Sequence, residues 1–284
     1  MTDYVLSMQS QVSYGHVGNS AAMFALQRLG YEVLALPTAM LSNHPGYGQT
    51  AGRQTDADEI RQLWQGLSSL DPAPEIRALL SGYLGRPENG TVLLDIASAL
   101  GTGDSEPIWL CDPVIGDTHT GTYVADGLPE FFRDRALLRA DVVTPNQFEL
   151  ATLTGRTIHS EAELLSAARE VLQRGPKIVV CTSVTAGLAD DRIGSLAVTA
   201  DAAWLATTPR LEKAPHGGGD LFAALFLGHL LRSEATDTAL ANAMASTFAL
   251  MAASNRQNLT ELPLIAEQES LIAADVGPVA VSVL

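Results

Sequence analysis

The order of apolar segments predicts an α/β fold, with a mainly parallel central sheet covered by helices on both faces. Short apolar runs suited to buried strands alternate with stretches whose apolar residues recur at helical spacing. Polar and glycine-bearing segments come directly after the strand-like runs, which is where parallel sheets bind ligands. The 284 residues hold no repeat, no low-complexity tract and no long Pro/Gly/Ser linker, so residues 1–284 read as one domain.

YVLSM (4–8) is the first strand. Asn19 or Ser20 caps a helix that turns Met23, Leu26 and Leu29 inward, and Gly30 stops it. EVLAL (32–36) is a second strand. Thr55 opens a helix with Ile60, Leu63, Trp64 and Leu67 on one face. ALLS (78–81) and IWLCDP (108–113) are strands, with a helix over Val92, Leu93, Ile96 and Leu100 between them. DVVTP (141–145) leads into a helix from Asn146, and Ser160 with Glu163 is a capping box for the helix 161–174. KIVVCTS (177–183) is a strand and 194–207 a hairpin. The last third is helical over 219–232, 237–254 and 263–273.

The formal net charge is −15, and Lys177 and Lys213 are the two lysines of the chain. Phosphate backbones and anionic lipids are bound mainly through Lys and Arg, so neither nucleic acid nor membrane is an expected partner. A phosphorylated ligand would be met by metal ions, backbone N–H groups and a few arginines. The N-terminus shows no basic segment followed by an apolar run, and no stretch reaches bilayer length, so a cytoplasmic protein is expected. Cys111 and Cys181 sit in apolar strand-like runs and read as small core residues, not as a disulfide or zinc framework.

The richest motif is HGGGDLFAALFLGHLL (216–231). Gly217, Gly218 and Gly219 can turn their N–H groups toward one point, and the helix after them adds its positive dipole end. That is an anion hole suited to a phosphoryl group. Asp220 could take a proton from an attacking hydroxyl, and the dipole favours its ionised form. The plainer alternative is a glycine turn with Asp as a helix cap. No GxxxxGK[ST] and no GxGxxG after the first strand occur, which excludes a P-loop and argues against a dinucleotide fold.

A second group is acidic. Asp112 and Asp117 in CDPVIGD, and Thr144, Asn146 and Glu149 in TPNQFE, come at the ends of two strands. Such oxygen donors suit Mg²⁺, which takes one or two carboxylates plus ligand phosphates. Alternatively, Asp112 and Asn146 satisfy turn backbone beside Pro. A third group, SMQSQVSYGHVGNSAA (7–22), carries polar residues that could orient a ring. The histidines show no paired metal spacing, and only His44, inside LSNHPGYG, is positioned by its neighbours.

In this order, SMQSQVSYGHVGNSAA, LSNHPGYGQTAG, LLSGYLG, CDPVIGD, TPNQFE with TGRTIHS, VVCTS and GGGDLFAA resemble the pyridoxal kinases of the ribokinase superfamily. The resemblance implies a three-layer α/β/α ribokinase-like domain, a homodimer, and vitamin B6 salvage. The reaction it implies moves the γ-phosphoryl of ATP to the 5′-hydroxymethyl of pyridoxal, pyridoxine or pyridoxamine. By the same likeness Asp220 is the base, and Gly217, Gly218 and Gly219 form the anion hole. Ser10, Pro45, Gly46 and Tyr83 belong to the ring site. Asp112, Thr144, Glu149, Thr182 and Ser183 face ATP, with Thr208, Pro209, Arg210 and Leu211 along the nucleotide. Mg²⁺ falls to Asp112, Asp117 and Glu149, and K⁺ is a candidate monovalent ion.

The chain departs from the family pattern in three places. Gly218 stands where Thr is frequent. Pro45 replaces a Thr, losing a hydroxyl and an N–H. Thr182 stands where many bacterial relatives have Lys. Two other functions compete. A hydroxymethylpyrimidine kinase usually ends this anion loop in Cys where the chain has Asp220. A non-catalytic pyridoxal carrier would need no base, so the set Asp220, Asp112 and Glu149 argues against it.

Overall fold

The computed structural model describes residues 3–71, 73–101 and 106–284. β1 (Tyr4–Val12) leads through α1 (Asn19–Arg28) to β2 (Glu32–Leu41), its parallel neighbour. A 3-10 turn over Pro45–Tyr47 and the antiparallel β3 (Gly52–Gln54) finish that edge. α2 (Ala57–Ser68), β4 (Ile76–Ser81), α3 (Pro87–Leu100) and β5 (Ile108–Cys111) repeat the strand–helix unit. A separate hairpin of β6 (Gly116–Asp117) and β7 (Gly121–Thr122) comes next. α4 (Leu128–Phe131) and a π turn over Phe132–Ala136 lead to β8 (Val142–Val143), α5 (Gln147–Thr154), α6 (Glu161–Leu172) and β9 (Ile178–Val184). β10 (Arg192–Val198) and β11 (Ala203–Pro209) form a hairpin. After them come α7 (Gly218–Leu231), α8 (Thr236–Arg256) and β12 (Ala280–Val283).

The main sheet runs β12-β11-β10-β9-β8-β5-β4-β1-β2-β3. Its five central pairings, from β9 to β2, are parallel. The remaining four, on the two flanks, are antiparallel, so the sheet is mainly parallel by a narrow margin. Successive strand residues point to opposite faces. Leu6, Leu79, Cys111 and Val143 therefore pack under α2, α3, α5 and α6. Val5, Leu80, Leu110 and Val142 pack under α1, α7 and α8. Both faces are covered, which is why the central runs are apolar throughout.

The predicted capping box is present: the Ser160 hydroxyl accepts from Glu163 N at 3.3 Å, and Glu163 accepts from Ser160 N at 3.0 Å. Cys111 and Cys181 are buried free thiols, with burial raising the Cys111 thiol to about 12. Four expectations need correction. α1 is not capped by Asn19 or Ser20; Gly18 is its N-cap, and Asn19 instead donates to the Gln9 carbonyl at 3.0 Å. α2 begins two residues after Thr55, and Leu63 is exposed, because only Ile60 of its apolar face is fully covered. Residues 263–273 form turns and a single 3-10 turn, Gln268–Leu271. There Leu262 and Leu264 are both buried around Pro263, a spacing of two that suits extended chain rather than helix. The edge strand β12 falls in a stretch with no predicted element. Among the described residues no helix is long and apolar enough to cross a membrane.

Candidate active site

The C-terminal end of β1 meets the start of α7 across Gly18. Its φ is +54°, and a Cβ there would strike the Ser10 carbonyl and hydroxyl, so the chain needs glycine to pass. The Gly18 N–H in turn donates to the Asp220 carboxylate. Ser10 and Asp220, 210 positions apart in sequence, are thus brought to the same crossing.

α7 opens on Gly217, whose φ of +88° and close approach to the His16 carbonyl exclude a side chain. At Gly218 the Met251 methyl of α8 fills the space a Cβ would take, so a side chain there would require Met251 to move. Gly219 is different, since a Cβ there would meet nothing within 4 Å. Asp220 lies in the first turn. Burial raises its carboxyl to about 6 against the Gly18 hydrogen bond, so the dipole does not hold it at an ordinary carboxylate value.

Asp112 ends β5 and is buried. Thr144 Oγ1 donates to its Oδ1 at 3.0 Å. Burial first, then the nearby charges of Glu149 and Asp220, raise the Asp112 carboxyl well above its usual range, against the Thr144 hydrogen bond. Glu149 completes a capping box with Asn146: its Oε2 accepts from Asn146 N at 2.8 Å and Asn146 Oδ1 accepts from Glu149 N at 2.9 Å. Glu149 Oε1 accepts from Ile115 N at 2.8 Å. Burial still outweighs these bonds and lifts its carboxyl to about 7.

Asp117 turns away. Its Oδ1 accepts from His119 N and Thr120 N at 2.7 and 2.8 Å, closing the β6–β7 turn. Burial would raise its carboxyl, but these bonds win and lower it. Among the described residues no three His, Cys, Asp or Glu side chains converge to hold a metal directly, while the Asp117 charge still reaches Glu149. What remains fits a cation in a simpler way. Buried Asp112 feels two carboxylates and no basic side chain, so positive charge from a ligand-bound Mg²⁺ would relieve it.

Thr182 lies half-buried on β9 and bridges to Asn146; Ser183 beside it takes an unusual positive φ of 54°. Thr208 is buried near the end of β11, while Pro209 and Arg210 are exposed and Leu211 is half-covered. Pro45 and Gly46 form the 3-10 turn after β2. Tyr83, half-buried after β4, has its carbonyl bonded by the Thr38 hydroxyl, and its own hydroxyl lies 3.5 Å from Gln54 Nε2. A cavity lined by Trp109, Arg139, Asp141 and Lys177 holds none of these residues. It sits at the N-terminal ends of β5 and β9, the wrong end for ligands of a parallel sheet.

Sequence reading missed Tyr123, just after β7. Although it is half exposed, partial desolvation and then the charges of Glu149, Asp112, Asp220 and Asp117 all raise its phenol, so it stands within reach of the carboxylate group. It also missed Met251, and the roles of His216 and Glu261. His216 opens the glycine motif but has no metal spacing to mark it, and Tyr123, Met251 and Glu261 lie outside every motif of the chain.

A glycine-opened helix aimed at a carboxylate cluster beyond the parallel strands, in a helix–sheet–helix sandwich, defines a small-molecule kinase of the ribokinase-like class. A family model described as phosphomethylpyrimidine kinase matches residues 75–263. The pyridoxal kinase PdxY of Rubrobacter xylanophilus is 43% identical over 96% of this chain and 94% of its own. That of Deinococcus radiodurans is 41% identical over 93% of this chain and 91% of its own. The pyridoxal kinase of Leishmania donovani, solved with ADP and ginkgotoxin, superposes with a TM-score of 0.90 at 29% identity, over 99% of both chains. The chain belongs to the pyridoxal kinase family.

Proposed function

We propose that this protein phosphorylates the 5′-hydroxymethyl group of pyridoxal with ATP, giving pyridoxal 5′-phosphate and ADP. The observation that carries the reading is the placement of Asp220 beside Ser10 and Gly18, at a glycine-opened helix start and within range of Asp112. The Asp220 carboxylate takes the hydroxyl proton as that oxygen bonds to the γ-phosphorus and the bond to ADP breaks. Gly217, Gly218 and Gly219 stabilise the charge on the transferred group. Ser10, Pro45, Gly46 and Tyr83 hold the ring. Asp112, Thr144, Glu149, Thr182, Ser183 and Thr208 to Leu211 border the nucleotide. Leishmania pyridoxal kinase has been solved with ADP together with pyridoxamine or pyridoxine, which supports the same substrate class here.

Mg²⁺ would supply the counter-charge that two lysines cannot, with Asp112 the carboxylate best placed to face it. K⁺ as a monovalent ion, a homodimer, a cytoplasmic location and a single domain over 1–284 belong to the same reading, all carried by the family likeness. The single-domain view also draws on one main sheet that takes in strands from both ends of the chain. The name of the matching family model favours a second reading, a hydroxymethylpyrimidine kinase. The curated relatives and Asp220 weigh against it. Incubation with ATP, Mg²⁺ and a panel of ring alcohols decides: turnover of pyridoxal is expected, and turnover of hydroxymethylpyrimidine alone would overturn the proposal.

A further inference from the structure

The turn over Pro45–Tyr47 is tied down at two places, and both ties end on residues that frame Gly217. In the first, the imidazoles of His44 and His216 stack, with centroids 3.9 Å apart and planes 29° from parallel. His216 directly precedes Gly217, and its Nε2 occupies the space that a Cβ on Gly46 would need. His44 is itself fixed, its Nδ1 accepting from Gly46 N at 3.1 Å. In the second, the Tyr47 hydroxyl donates to Glu261 Oε1 and lies 3.1 Å from the Thr260 hydroxyl. Glu261 Oε2 accepts from His16 N at 2.9 Å. The His16 carbonyl in turn lies where a Cβ on Gly217 would have to go. Four segments far apart in sequence therefore share one glycine.

From this geometry we infer that His216 and Glu261 are positioning residues that lock the ring-binding turn to the first glycine of the anion hole. The inference rests on the pyridoxal kinase reading for what the turn binds. Pro45 takes the first position of this turn, where its missing N–H has no partner within the turn. Side chains from two other segments hold the turn, and those contacts fix where a ring sits relative to the phosphoryl site. Neither residue needs to touch the reacting atoms. Gly46 has no room for a side chain because the His216 ring lies against it.

His216→Ala, His216→Phe and Tyr47→Phe test this. Loss of one ring pair or one hydrogen bond predicts a rise of about two- to tenfold in KM for pyridoxal in His216→Ala and Tyr47→Phe. KM for ATP is expected to stay within about twofold, a split that general destabilisation would not produce. His216→Phe keeps a stacking ring and should return KM for pyridoxal most of the way to the parent value. Hydrogen exchange of the Gly46–Gly48 amides in the ligand-free protein gives a second readout, with faster exchange expected in His216→Ala. An unchanged KM for pyridoxal in His216→Ala, or a His216→Phe as impaired as Ala, would overturn the inference. If the parent protein turns over no pyridoxal, the substrate reading has failed, and the exchange rates alone then decide whether the tie exists.

Discussion

At the scale of single residues, Asp220 shows two effects opposing each other. A helix N-terminus favours the anion, typically by about 0.3–1 kcal/mol, whereas burial of a carboxylate costs more. Burial wins, and the group sits at about 6. A base with that value is mostly ionised at neutral pH yet basic enough to accept a proton. kcat/KM for pyridoxal should therefore rise tenfold per pH unit below about 6 and flatten above it. Asp220→Asn keeps the size and an oxygen that can accept from the Gly18 N–H, so kcat should drop by about 10²–10⁴ while the melting temperature at neutral pH does not fall. Near-normal kcat in that variant would remove Asp220 as the base. Gly219 separates fold from function in the opposite direction. Its Cβ would be unopposed in the protein, so Gly219→Ala should stabilise α7 by about 0.4–1 kcal/mol. If a phosphoryl group approaches that backbone, the same methyl should lower kcat at least tenfold. Full activity in Gly219→Ala would remove Gly219 from the anion hole.

At the scale of elements, the Pro45 turn reads differently in the structure than in the sequence. Pro45 stands at the first position of the 3-10 turn, where a backbone N–H has no intrahelical partner and proline's fixed φ is an advantage. The loss relative to Thr is then the hydroxyl alone. Pro45→Thr adds that donor, worth about 0.5–1.5 kcal/mol, and gives up about 0.4–1 kcal/mol of turn rigidity. The two offset, so KM for pyridoxal should change by less than about fivefold in either direction. Steady-state kinetics on Pro45→Thr checks this, and a tenfold or greater fall in KM would show that the missing hydroxyl limits affinity. The β5–β6 connection and α5 illustrate a related point. Glu149 holds the Ile115 and Asn146 amides, so the residue proposed to face the nucleotide also fastens two elements together.

At the scale of the whole molecule, the site is a concentration of buried negative charge in a protein that is already at −15. Asp220 at about 6 and Glu149 at about 7 both lie above their unfolded values near 4. Between those limits the folded state binds more protons than the unfolded one. Their stabilising contribution is therefore complete below about pH 4 and is lost as pH rises through about 7. Metal-free protein should melt at progressively lower temperature from pH 5 to pH 8, and Glu149→Gln should flatten that slope. Mg²⁺ with ATP should restore most of the loss at pH 8 by neutralising the cluster. Calorimetry across this range is the check, and a melting temperature that climbs with pH would contradict the assignment of buried carboxylates.

The sequence by itself determined the local features. The order of the central strands and the helices between them, the Ser160–Glu163 box, the core thiols and the hairpin over 194–207 arise from patterns of neighbours a few residues apart. Strand-end motifs also pointed to Asp112, Thr144, Glu149 and Asp220, because a parallel sheet gathers the residues beyond its strands along one edge. Only the tertiary structure decided the rest. That Asp117 closes its own turn depended on where β6 and β7 placed its backbone. The value of Asp220 depended on burial by segments far away in the chain, and burial has no local signature. Met251 against Gly218, Tyr123 over the carboxylates and His216 against His44 arise from contacts between elements. A side chain's neighbours across a core depend on packing, and packing is settled only once every layer is in place.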